Sequence, residues 1–351
     1  MRRIHGGDVY SLGREVLDLS VNLNPMGPPR EALEVLSREL EGLVTRYPDL
    51  ECRTSTRAIA RYLGLPEECV TVSNGASMAI QLCLMALRPR RVLTLEPTFT
   101  EYRLCAEALG IGSLPLPSLD RDRGLVPDPE AIWSALEEGD ALFVCNPNNP
   151  TGNEVERGTL LEIAELCRRK GAHLVVDECF LELSTSGEGG SLKEEAAGGA
   201  AVVIRAMTKS FAAPGLRIGY VVSSPDLAAR LRELRHPWPL NNLAEAFAQR
   251  ALIGAEEYLS RARALIRANR ERLILGISKA GGKPYPSDCN FVLFYFPGNV
   301  DLRGELLKRD VLIRSCADFL GLGEGHYRVA VAREEEVDLF LRALEGISVS
   351  S

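Results

Sequence analysis

Two basic residues in the segment MTKSFAAPGLRIGY (207–220) have the types and the spacing for chemistry. Lys209 comes just after the apolar run AAVVI (200–204), which reads as a buried strand, and Arg217 lies eight residues further on. A lysine at the end of a buried strand is partly desolvated. Desolvation lowers its pKa and leaves a nucleophilic amine, the group needed to bond an aldehyde. Pro214 and Gly215 keep the stretch between the two from being a plain helix. Asp177 occupies the same kind of position, after the apolar run in VVDECF (175–180). A carboxylate placed there needs a positive partner or several donors.

Three loops add further groups. In TVSNGASMAI (71–80), Ser73, Asn74 and Gly75 make a turn and Ser77 starts an apolar helix. A helix N-terminus with a glycine and a hydroxyl suits a phosphate, although any helix cap has this look. In NPNNPTG (146–152), two prolines and three asparagines give a rigid loop with side-chain amides free to point into a cleft. In EPTFTEY (96–102), Phe99 is either an aromatic lid or a core residue.

An anion site, an aromatic, a loop amide, a buried acid and a nucleophilic lysine together suggest pyridoxal phosphate. In that reading Lys209 binds the aldehyde and Asp177 keeps the pyridine nitrogen protonated. Asn149 bonds the phenolic oxygen and Phe99 stacks on the ring. Arg217 meets the phosphate with Ser77 and the backbone N–H groups of Gly75 and Ala76.

These groups need a scaffold that brings strand ends together. The runs 91–97, 141–147, 173–178, 201–206 and 218–223 read as strands, and 77–87, 101–110 and 158–171 as helices. The alternation predicts an α/β fold, a mostly parallel sheet covered by helices on both faces. Ligands bind at the carboxyl ends of such strands. After HPWPLNN (236–242) the texture changes to long helical stretches (243–280), two strand-like runs (290–296 and 327–332) and a closing helix (334–347). The expected division is a large domain over 30–235 and a smaller α+β domain over 236–351. Residues 1–29 form an arm packed on one or both.

Charged residues make up 25% of the 351, hydrophobic ones 46%, and the net charge is −7. That balance fits a soluble globular chain and argues against nucleic-acid binding. No apolar run is long enough to span a membrane, and no apolar stretch follows the two N-terminal arginines as a signal peptide would require. The nine cysteines are odd in number, lack a CxxC pair and mostly sit in apolar patterns. They read as buried reduced thiols of a cytoplasmic protein. No metal site is expected.

The order SNGAS, PTF, NPNNPTG, DE and TKxxxxPGLRIGY resembles the fold-type I pyridoxal-phosphate enzymes, the aspartate aminotransferase superfamily, over nearly the whole chain. The resemblance implies a homodimer with its active sites at the subunit boundary. It implies that Tyr47 reaches the neighbour's cofactor phosphate and that Arg328 binds the substrate α-carboxylate. Within the superfamily, HGGDVY (5–10), DLSVNLNPMGPP (18–29) and IRSCADFLGLGEGHYRVAV (313–331) look like the threonine-phosphate decarboxylases, relatives of the histidinol-phosphate aminotransferases. That branch implies His5, Asn22 and Arg314 near the phosphate or carboxylate of a small phosphorylated amino acid. Phe180 points the same way. Aminotransferases usually carry a tyrosine there, donating to the cofactor's phenolic oxygen. The chain departs from the pattern at Ala206, where Ser or Thr is usual, with Thr208 as the candidate substitute, and at Ala332, where arginine is usual. The alternatives are a histidinol-phosphate-type aminotransferase, a serine-phosphate decarboxylase and, least favoured, a non-enzymatic regulator.

Overall fold

The computed structural model describes residues 6–298 and 300–347. Seven segments form the main sheet: β1 (Val70–Asn74), β2 (Arg91–Glu96), β3 (Gly112–Pro117), β4 (Ala141–Cys145), β5 (His173–Asp177), β6 (Val202–Ala206) and β7 (Ile218–Val222). Their order is β1-β7-β6-β5-β4-β2-β3. β7 runs antiparallel to both its neighbours, and every other pair is parallel. The two-residue side-chain period of a strand explains the layering. On β4, Phe143 and Cys145 pack against helices Gly75–Leu87 and Glu101–Ala108, while Leu142 and Val144 face the core that includes helix Arg157–Lys170. Both faces are therefore covered, as the alternating pattern predicts.

β3 is absent from the sequence reading. Its residues, GSLPLP, include two prolines that cannot donate to a ladder. β3 is the edge strand, beside β2 only, and prolines are tolerated there.

A second, antiparallel sheet holds β8 (Lys283–Pro284), β9 (Phe291–Tyr295), β10 (Arg314–Ser315) and β11 (His326–Ala330), in the order β8-β9-β11-β10. Helix Ala255–Lys279 covers the same core through Leu259, Ala262, Ile266, Leu273 and Ile277. It is separated from helix Asn242–Ala251 at Gly254, whose φ of +71° favours glycine. The arm touches both sheets' surroundings. Leu17–Asp18 pairs in parallel with Val311–Leu312, the Ala330 N–H donates to the Leu19 carbonyl at 2.9 Å, and the Asn24 N–H donates to the Lys209 carbonyl at 3.0 Å. No described helix is long and apolar enough to cross a membrane. All nine cysteines are free thiols.

One charged cluster sits inside the fold. Arg205 on β6 is 1% exposed and pairs with Glu178 at 2.8 Å and Glu188 at 2.7 Å. Glu182, 3.9 Å from Arg205, accepts from the Tyr62 hydroxyl at 2.7 Å. The three glutamates lie on the chain just after β5, so Arg205 ties that turn to the neighbouring strand. Breaking a buried pair from one side leaves an uncompensated charge, at about 3–5 kcal/mol. Glu178→Ala is therefore expected to lower the thermal unfolding midpoint by several degrees, and Arg205→Met, which takes the cation from all three glutamates at once, to lower it further. A Glu178→Ala midpoint equal to the wild type's contradicts this account.

Candidate active site

β1, β4, β5 and β6 are mutually parallel in direction, so their carboxyl ends share one edge of the sheet. A cavity of about 260 Å³ opens there. Asn22, Ala76, Ser77, Phe99, Asn149 and Asp177 line it. So do Thr208, Lys209, Arg217, Arg314 and Arg328. The sequence had picked out each of these.

At one end lies the start of helix Gly75–Leu87. Its N-cap, Asn74, makes no side-chain capping bond, so the first N–H groups are left for another acceptor. Gly75 has φ +75°, and a Cβ there would come within 2.3 Å of Arg217 Nη2. The guanidinium thus lies directly against a bare backbone. A second glycine, unremarked in the sequence reading, shapes the same corner: a Cβ on Gly219 would meet the Gly75 carbonyl carbon at 2.4 Å. Arg217 adopts φ +57°, a left-handed conformation costing about 1–3 kcal/mol for a non-glycine residue. Its Nη1 donates to the Pro214 carbonyl at 3.2 Å, and no carboxylate among the described residues pairs with it. A charged guanidinium, uncapped N–H groups and a glycine cradle together fit a phosphate.

Asp177 is 4% exposed. Its Oδ2 accepts from the Tyr102 hydroxyl at 2.7 Å and its Oδ1 from the Cys179 N–H at 3.0 Å. Among the described residues no cation forms an ion pair with it. Burial raises its pKa, and the bonds from Cys179 and Tyr102 oppose that rise. A buried carboxylate held by neutral donors suits a protonated pyridine nitrogen as its cationic partner.

Lys209 sits in the one-turn helix Met207–Ser210 after β6, with its amine 5.8 Å from the centre of the Phe180 ring. Burial, then the charges of Arg328 and Arg217, pull its pKa down to about 8, while Cys179 and Asp18 act in the opposite sense. At pH 7 roughly a tenth of the amine is then unprotonated, the form a nucleophile requires. Phe180 is 6% exposed and meets Phe291 edge to face at 5.0 Å.

The far wall carries two arginines. Arg314 on β10 and Arg328 on β11 are directly opposed cross-strand partners. Like charges so placed repel. Arg314 is bonded to Asp318 at 2.7 Å, and Arg328 donates to the Ser20 carbonyl at 2.9 Å and to the Asn149 side-chain oxygen. An arginine is a donor only, so the Asn149 oxygen must face it and the NH₂ remains the cavity's donor. Asn22 is 1% exposed and its Oδ1 finds no partner among the described residues. Burial and Arg314 lower the Arg328 pKa to about 10, which leaves it charged at neutral pH.

One expected residue lies elsewhere. Tyr47 is on the surface, 81% exposed and packed against Trp238 at 5.1 Å between ring centres. His5 falls outside the described residues. The sequence reading had missed Tyr102, Cys179 and Gly219. The only available signal for Tyr102 was its place on the apolar face of a short helix, which says nothing about its hydroxyl.

A mostly parallel sheet with a lysine, an acid and a phosphate cradle at its carboxyl edge defines the fold-type I class of pyridoxal-phosphate proteins. Residues 14–344 match the family model "Aminotransferase class I and II". The threonine-phosphate decarboxylase of Salmonella typhimurium is 31% identical, over 98% of this chain and 96% of that protein. The crystal structure of the histidinol-phosphate aminotransferase from Clostridium acetobutylicum is 32% identical, with a TM-score of 0.86 over 94% of this chain and 98% of that one. The histidinol-phosphate aminotransferase of Sinorhizobium meliloti, solved in complex with pyridoxal 5′-phosphate, shares the fold at 21% identity, with a TM-score of 0.83 over 96% and 92%. The chain belongs to the aminotransferase class I and II family, whose cofactor is pyridoxal 5′-phosphate.

The lowered pKa of Lys209 gives a direct test. In cofactor-free protein, acylation of Lys209 followed by mass spectrometry should be half-maximal near pH 8, against the usual 10.5. A midpoint above 10 contradicts the desolvation argument.

Proposed function

We propose that this protein decarboxylates L-threonine O-3-phosphate to (R)-1-amino-2-propanol O-2-phosphate, a reaction serving cobalamin synthesis. The observation that carries the choice of reaction is Phe180. An aminotransferase of this class would have a hydroxyl there, donating to the cofactor's phenolic oxygen. Here the ring is buried against Phe291 and faces the Lys209 amine, so it gives an apolar wall and no donor. The decarboxylase relative at 31% identity supports the same choice.

Two anionic groups on the substrate explain the paired arginines. Arg328 takes the α-carboxylate and Arg314 the phosphate, with Asn22 supplying a further polar contact and His5 assigned to the same end. An anion between Arg314 and Arg328 relieves their mutual repulsion. Gly75, Ala76, Ser77, Thr208 and Arg217 hold the cofactor phosphate. Phe99 covers the ring, Asn149 donates to its phenolic oxygen, and Asp177 keeps a proton on its nitrogen. When bound, pyridoxal phosphate supplies an electron sink for the pair released as the carboxylate leaves. Lys209 would hold the cofactor's aldehyde, and its amine or a water would supply the proton to the α-carbon. Arg314 and Arg328 would orient the substrate's two anionic groups and so set which bond at the α-carbon is presented for cleavage.

We further propose a homodimer. Tyr47, Val44, Leu40 and Ile253 are exposed by 81%, 66%, 51% and 69%, large side chains that a second copy would cover. A second copy there brings Tyr47 to the neighbour's cofactor phosphate. The nine free thiols suit a reducing, cytoplasmic compartment.

Transamination of histidinol phosphate is the second reading, favoured by the aminotransferase structure at 32% identity. Serine phosphate is a close substrate variant. The test is to incubate the holoenzyme with threonine phosphate and measure carbon dioxide, then with histidinol phosphate and 2-oxoglutarate and measure glutamate. The first assay should be positive and the second negative. Glutamate without carbon dioxide would sink the decarboxylase.

A further inference from the structure

Tyr102 lies in the first turn of helix Glu101–Ala108 and is 0% exposed. It does not line the cavity, yet it touches two residues that do. Its hydroxyl donates to Asp177 Oδ2 at 2.7 Å. Its ring meets Phe99 edge to face, with centres 5.6 Å apart and planes at 81°. Phe143 of β4 stacks beneath it at 5.2 Å. One side chain thus supports, from behind, both the acid assigned to the ring nitrogen and the aromatic assigned to the ring face.

We propose that Tyr102 is a positioning residue, which holds Asp177 ionised and fixed in orientation for the pyridine nitrogen. The inference rests on the pyridoxal-phosphate reading of the site. Each carboxylate oxygen of Asp177 accepts from a fixed donor, Cys179 N–H on Oδ1 and Tyr102 on Oδ2, and the Cys179 thiol bonds the same carboxylate. Two donors on two oxygens fix the plane of the carboxylate while each oxygen keeps accepting capacity for the cavity. The chemistry of the donor matters too. A lysine or arginine in place of Tyr102 would neutralise the acid. A phenol stabilises the anion and leaves its charge for a cation arriving from the cavity. The other titratable groups around Asp177 are the thiols of Cys145, from β4, and Cys179, from the following turn, with Lys209 beyond at the end of β6. Burial keeps both thiols protonated at neutral pH. The Cys179 thiol also bonds Asp177, but only Tyr102 ties the carboxylate to the Phe99 ring.

The Tyr102 bond lowers the proton affinity of Asp177. Without it Asp177 takes up a proton at higher pH, and a neutral acid no longer holds a protonated ring nitrogen.

The test is Tyr102→Phe, which removes one oxygen and keeps the packing on Phe99 and Phe143. Cofactor is removed from both proteins, and pyridoxal phosphate is titrated back by absorbance across pH 5–9. The variant should bind about tenfold more weakly at neutral pH, the size of one hydrogen bond to a charged group. The pH at which cofactor is lost on acidification should rise. A dissociation constant that is unchanged, or weaker by the same factor at every pH, overturns the proposal, because packing alone gives no pH signature. Failure of the wild type to bind pyridoxal phosphate at all would instead overturn the cofactor reading on which the proposal rests.

Discussion

A carboxylate held away from water without a cation is expensive, and the architecture around Asp177 is arranged to sustain one. Leaving an isolated ionised group in an apolar interior would cost many kcal/mol, enough to neutralise it instead. The two neutral donors on Asp177 each offset about 1.5–3 kcal/mol of that cost. The remaining deficit shows as a raised proton affinity. An acid in this state is poised for a cation that enters from the cavity, and the protonated ring of the family's cofactor is one. The same carboxylate on the surface would exert far less pull, since water screens it.

The sheet explains how the other groups come to face that acid. β5 lies near the middle of the sheet, with β4 on one side and β6 on the other. Asp177 ends the first, the asparagine loop follows the second, and Lys209 follows the third. β7 returns antiparallel, which brings Arg217, just before it, to the same edge as the start of helix Gly75–Leu87. Arg205 and its three glutamates, on the chain immediately after Asp177, stop β5 and β6 from shifting against each other. The arm completes the site, since Asn24 is bonded to the Lys209 carbonyl and Ser20 to Arg328.

Much of this was legible in the chain. Lys209, Asp177 and Asn149 each follow an apolar run, and alternating strands and helices put such positions at one edge. What stayed hidden depends on tertiary direction. Tyr102 reads as one apolar residue among several, because helical periodicity locates a face and not a hydroxyl's partner. Gly219 reads as an ordinary strand residue until its Cα is seen against Gly75. β3 escaped notice because prolines argue against a strand unless it lies at an edge. Tyr47 was legible only through resemblance, and in a single chain it sits on the surface.

The central claim is that Lys209 is the cofactor's covalent anchor, with Asp177 and Arg217 at the two other ends of the same ring. Borohydride reduction of the holoenzyme, followed by proteolysis and mass spectrometry, addresses it most directly. The account predicts a phosphopyridoxyl group on the peptide that contains Lys209. An adduct on a different lysine, or none on any, would contradict it.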